Sequence, residues 1–89
     1  MNVTDAKVRV ANKKSEDRIL GYADIILENS FVVHGLKIIE GENGIFVAMP
    51  SRRVKSGEFK DIIHPTCPVL RKNITDFVVE KYNEIKLQN

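Results

Sequence analysis

With 89 residues, 43% of them hydrophobic and 29% charged, the chain has the composition of an ordinary globular protein, not a disordered one, and is read as a single domain, residues 1–89, with no internal repeat. A domain this small buries only about 60–65% of its unfolded surface, so its stability margin is thin and oligomerisation would help it. The formal charge of +2 does not identify a nucleic-acid binder by itself, and no apolar run reaches the roughly 18–20 residues of a membrane-spanning helix.

The first element is a strand. Ala6, Val8 and Val10 alternate with Asp5, Lys7 and Arg9, the period of a sheet with one buried face. Residues 12–17 are polar and turn-like. A second strand follows, with Ile19, Gly21, Ala23, Ile25 and Leu27 as its apolar face and the mixed set Leu20, Tyr22, Asp24, Ile26 and Glu28 opposite. Asn29-Ser30 suits a tight hairpin into a third strand over residues 31–39, and Gly41-Glu42-Asn43-Gly44 turns the chain into a fourth. Links this short predict an antiparallel meander, since parallel strands need a crossover of a dozen or more residues.

Ile45, Phe46, Val47, Ala48 and Met49 form a β-prone apolar run ended by Pro50, and Gly57 permits a turn into Phe59. Between these two short apolar strands lies a basic turn carrying Arg52, Arg53 and Lys55, with Lys60 across it. Residues 25–44 set Lys37 against Glu28, Glu40 and Glu42, whereas residues 45–67 set four cations against Glu58 and Asp61. Such polarity orients one face toward an anion. Guanidinium groups bind phosphate oxygens bidentately and without sequence preference, which makes these residues the leading anion contacts. A basic loop is also, commonly, just a solvated one.

After Pro65 the period changes. Leu70, Ile74, Phe77, Val78, Tyr82 and Ile85 fall on one stripe of a helix of about four to five turns. Pro68 suits its first turn, with Thr66 or Cys67 at the cap. Phe77 and Val78 are the expected anchors on the sheet. The predicted fold class is α+β, an antiparallel meander of four to five strands followed by a C-terminal amphipathic helix. Arg71 and Lys72 lie in the helix's first turn, where the dipole disfavours cations, so a contact outside the fold would account for them.

Other constellations are weaker. Tyr22 and Phe46 are expected in the core rather than stacked on bases. His64 and Cys67 provide too few ligands for a metal, and nothing orients them as a nucleophile and base, so neither a metal, a cofactor nor catalysis is expected. Glu58 and Asp61 are expected to pair with neighbouring cations. A single cysteine excludes an internal disulfide and fits a reducing compartment. Residues 1–5 lack the cationic start and apolar core of a secretion signal, so the expected location is cytoplasmic, where the Asn73-Ile74-Thr75 sequon would meet no glycosylation machinery.

Four blocks of the chain resemble one family in the right order: NVTD (residues 2–5), FVVHGLKIIEGENG (31–44), GIFVAMPS (44–51) and GEFKDIIHP (57–65). They are similar to the SpoVG family of bacterial septation and sporulation regulators, whose hallmark is GLFVAMPS, then basic residues, then GEF(R/K)DI and HP. The resemblance implies binding of DNA and/or RNA, regulation of gene expression and a homodimer. It assigns nucleic-acid contact to Arg52, Arg53 and Lys55, with help from Lys60, and makes the region of Arg71 and Lys72 relevant to which nucleic acid is chosen. Many relatives have Lys then Arg where this chain has Arg52 then Arg53, which keeps both charges. The alternative is a protein–protein interaction module of a division or regulatory complex, docking through a strand edge or the helix with no direct nucleic-acid binding.

Overall fold

The structure is a computed structural model that describes residues 1–11 and 18–88; the turn expected at residues 12–17 lies outside the described residues. The alternating segments form four strands, β1 (Val3–Val10), β2 (Ile19–Leu27), β3 (Phe31–Gly41) and β4 (Gly44–Ala48), paired antiparallel in sequence order. Two short strands, β5 (Ser51–Arg53) and β6 (Phe59–Asp61), make a separate hairpin, and helix α1 runs over Pro68–Gln88. The predicted α+β meander with a C-terminal helix is the observed architecture.

The sheet's period-2 pattern decides which face is covered. Ala6 on β1, Ala23 and Ile25 on β2, Leu36 and Ile38 on β3 and Val47 on β4 are buried in one cluster with Ile74, Val78 and Tyr82 of α1. The helix therefore lays its stripe across the sheet, touching β1, β2 and β4. Val78, with no exposed surface, is one anchor. Phe77 is only half-buried at the cluster's margin, so the expectation that it anchors the helix is corrected to Ile74, Val78 and Tyr82. Its neighbour in sequence points about 100° further round the helix and takes the central position.

Local chemistry sets the turns. Between β2 and β3, the left-handed residues are Glu28 (φ 52°) and Asn29 (φ 52°), one position earlier than the Asn29-Ser30 pair expected, with Ser30 N–H donating to Leu27 O at 2.9 Å. Glu28 tolerates that backbone because the N-terminus ties it down: its N–H donates to Asn2 O at 2.9 Å, and its Oε1 accepts from Asn2 N–H at 2.6 Å. Gly35 (φ 83°) sits in a bulge where His34 and Gly35 on β3 together oppose Asp24 on β2, a conformation glycine adopts without penalty. At α1, Pro68 occupies the first helical position, Arg71 N–H donates to Cys67 O at 3.1 Å, and the Cys67 thiol faces the N–H groups of Leu70 and Val69. Cys67 is thus the cap residue, as the sequence allowed.

Candidate nucleic-acid interface

The basic segment is a hairpin rather than a loop on strands. Arg52 and Arg53 lie on β5 itself, and β5 pairs with β6 through Ser51↔Asp61, Arg52↔Lys60 and Arg53↔Phe59. The expectation of a basic turn between two apolar strands is corrected on this point: the turn proper is residues 54–58, and of the candidate cations it holds only Lys55. It is closed by Val54 N–H donating to Glu58 O at 2.8 Å and Gly57 N–H donating to Val54 O at 2.9 Å, with Gly57 at φ 88°. Ile62 N–H donates to Pro50 O at 2.8 Å, fastening the hairpin's base.

Directly opposed residues of an antiparallel pair share a face, and successive residues of one strand do not. Arg52 and Lys60 therefore stand side by side, while Arg53 stands on the other face with Phe59. A methyl group added at Gly57 would lie 3.9 Å from the Arg53 Nη2, so the Arg53 guanidinium leans over the turn. Arg52, Arg53, Lys55 and Lys60 are all exposed and, among the described residues, make no ion pair. Among the described residues Glu58 and Asp61 pair with no cation either, contrary to expectation; Asp61 opposes Ser51 in the ladder instead. The hairpin also exposes Phe59 (68%), followed in the chain by Ile62 and Ile63, also exposed.

Arg71 and Lys72 are on a different element, at the fourth and fifth positions of α1, both exposed. Lys72 Nζ donates to Asp76 Oδ2 at 3.3 Å, an exposed i,i+4 pair worth little. No acidic side chain sits in the first turn to offset the two cations. His64 and Cys67 are exposed, with His64 Nδ1 3.3 Å from Pro65 O and Cys67 serving as the cap. Among the described residues no three His, Cys, Asp or Glu groups converge as metal ligands.

Tyr22 and Phe46 were expected in the core, and the structure places both in water, 40% and 47% exposed. The reason is parity. Tyr22 follows Gly21 and Phe46 precedes Val47, both buried against the helix side, so the aromatic rings point outward. The register puts Arg9, Tyr22, Lys37 and Ala48 in one row across the outer face of β1 to β4. Next to the row, Asp24 accepts from Arg9 Nη1 at 3.1 Å and from Gly35 N–H at 3.2 Å, and lies 3.4 Å from His34 Nδ1. The Arg9 contact leads in holding its carboxyl below the ordinary value, against the opposing cost of burial. The mixed alternation of β1 and β2 carried the signal for this outer face, but only the strand register brings its residues together.

The SpoVG family model matches residues 1–84. Three similar proteins named “Putative septation protein SpoVG” come from Fusobacterium nucleatum, Acholeplasma laidlawii and Clostridium perfringens. The first is 50% identical over 82 residues, covering 92% of this chain and 88% of its own length. The second is 46% identical over 84 residues (94% and 87%), and the third 42% identical over 86 residues (97% and 93%). Among the described residues no helix is long and apolar enough to cross a membrane.

Proposed function

The chain belongs to the SpoVG family, and from that premise we propose that it is a small cytoplasmic regulatory protein that binds DNA and/or RNA as a homodimer, by contact rather than turnover. The observation that carries this reading is the hairpin: four exposed cations on one short element, none of them, among the described residues, paired with a carboxylate although Glu58 and Asp61 lie on that element. Structural cations tend to be paired or to spread over a surface; these are concentrated and available to phosphate. Arg71 and Lys72 add charge at the start of α1. The relatives' names attach septation to similar proteins, and in this chain the regulated process is proposed to be division or a related transition.

Phosphate contacts release condensed counterions, so the test is a salt titration of binding to DNA and RNA, single- and double-stranded. The expected result is a log–log slope of several units, about 0.9 per phosphate contacted on a duplex. Protein that binds none of these ligands at low salt refutes the reading. A second reading has its own observation: Phe59, Ile62, Ile63 and Val69 are apolar and exposed around the hairpin and the start of α1, which suits contact with a protein surface. We assign that apolar set first to the second copy in the homodimer. Light scattering at micromolar concentration that returns the 10.1 kDa monomer mass would leave it to a different partner and favour the interaction-module reading.

A further inference from the structure

We propose that the outer face of the four-stranded sheet is a second nucleic-acid site, a platform on which an unpaired base stacks over Tyr22 between Arg9 and Lys37. This deepens the nucleic-acid reading and rests on it. The register makes Tyr22 the direct cross-strand neighbour of Arg9 on one side and of Lys37 on the other. Cross-strand neighbours have Cβ atoms about 4.5–5.5 Å apart, so an aromatic face is flanked on both sides by side chains long enough to reach the phosphates of a nucleotide lying on it. Phe46, two residues before Ala48 on β4, leans its half-exposed ring over Gly41, away from the row, so Tyr22 is the ring the platform offers.

The charge on this face suits a polyanion. Lys7, Arg9 and Lys37 stand against Asp5 and Asp24, and Asp24 is already occupied by Arg9, the Gly35 N–H and His34. Arg9 is paired with Asp24 beside the row and Lys7 stands opposite the same carboxylate, which leaves Lys37 as the row's cation for a phosphate. Ala48 keeps the β4 end of the row low and open. From Ala48 to Arg52 is a span of four residues, at most about 14 Å of chain, so the hairpin's first cation is within that distance of the β4 end of the row.

The occupant is single-stranded. Stacking on a side chain requires a base whose face is free, which a duplex does not offer along its length, and exposed aromatics on a sheet flanked by cations are the means by which such strands are held. Aliphatic residues at position 22 would have satisfied the sheet equally well, since β-branched side chains fit a half-exposed strand without needing a partner.

The test measures binding of oligothymidylate, oligouridylate and a mixed-sequence duplex of matched length by fluorescence anisotropy, using the full chain and three variants: Tyr22→Ala, Tyr22→Phe and the hairpin double change Arg52→Ala/Lys60→Ala. We expect Tyr22→Ala to weaken single-strand binding roughly 5- to 150-fold, the loss of one stacked base, with Tyr22→Phe close to the parent and duplex affinity unchanged by either. Wild-type single-strand affinity in Tyr22→Ala, with the hairpin variant impaired, overturns the platform and leaves the hairpin reading standing. The reverse pattern supports the platform and removes the hairpin. A Tyr22→Ala protein whose light-scattering mass falls by half would show that a second copy covers this face, and would also overturn the proposal, as would a parent protein that binds no nucleic acid.

Discussion

The β5–β6 register makes an unequal prediction for four cations that look equivalent in the sequence. Arg52 and Lys60 are directly opposed and project to one side; Arg53 projects to the other and leans over Gly57. A phosphate backbone lying against the hairpin meets one side at a time, so Arg52 and Lys60 should act together and Arg53 apart from them. Each phosphate contact contributes about 0.9 to the log–log salt slope on a duplex and about 0.7 on a single strand. Arg52→Ala/Lys60→Ala should therefore flatten the duplex slope by about 1.8 per engaged protomer, or about 3.6 if both copies of a dimer engage, whereas Arg53→Ala should change it by less than about half of the 1.8. If parent and variant converge near 1 M salt, the pair costs about 60-fold at 0.1 M in one protomer. The assay is anisotropy at several salt concentrations, after the melting temperature of each variant has been matched to the parent. An Arg53→Ala slope as flat as that of the double variant would refute the two-sided reading, and an unchanged double variant would move the phosphate contacts to Arg71 and Lys72.

Val78 is fully buried and Phe77 half-buried, so Val78→Ala, which removes two carbons and leaves a cavity, should cost about 2–3 kcal/mol, and Phe77→Ala less than the about 3–5 kcal/mol of a fully buried ring; urea unfolding checks the pair, and a full-sized loss at Phe77 would make it an anchor after all. A Cβ at Gly21 would lie 2.4 Å from the Arg9 carbonyl oxygen, so Gly21→Ala should push β1 off β2 and lose amide-exchange protection along β1 first. Asp24 has a lowered folded-state pKa, chiefly through Arg9, so its contribution is present above the unfolded carboxylate value near 4 and is lost as pH falls through the lower folded value; Asp24→Asn should flatten the acid limb of the stability profile. The Cys67 thiol is lowered from 9.0 by the N–H groups of Leu70 and Val69, so its alkylation rate should inflect below that value in the folded protein and return toward it in denaturant.

The fold was legible because each element carries its own period. Ala6, Val8 and Val10 against Lys7 and Arg9, and the five-residue apolar face of β2, fix strands and their buried side without any knowledge of pairing. The stripe from Leu70 to Ile85 and the Pro68 start did the same for α1. What the pattern left open was rank within the stripe: Phe77 and Val78 are adjacent, and only the position of the sheet beneath α1 decides which takes the centre. The left-handed turn at Glu28-Asn29 was displaced by one residue because a contact from Asn2, distant in sequence, outweighs local turn preference.

The candidate site was legible in composition and illegible in direction. Arg52, Arg53, Lys55 and Lys60 stand out as a cluster of charge, but whether they share a face depends on the pairing of residues 51–53 with 59–61, and three-residue strands have too little alternation to reveal it. The outer-face aromatics were missed for the opposite reason. A frequency argument sends Tyr and Phe in a small sheet to the core, yet the described residues hold one helix, which can cover only one of the sheet's two faces. Nine residues of alternation on β2 already assigned the covered face to Gly21, Ala23 and Ile25, and counting covering layers would have left Tyr22 outside. A lone helix on a four-stranded sheet leaves one face to solvent or a partner, and the residues placed there show what that face is built to meet.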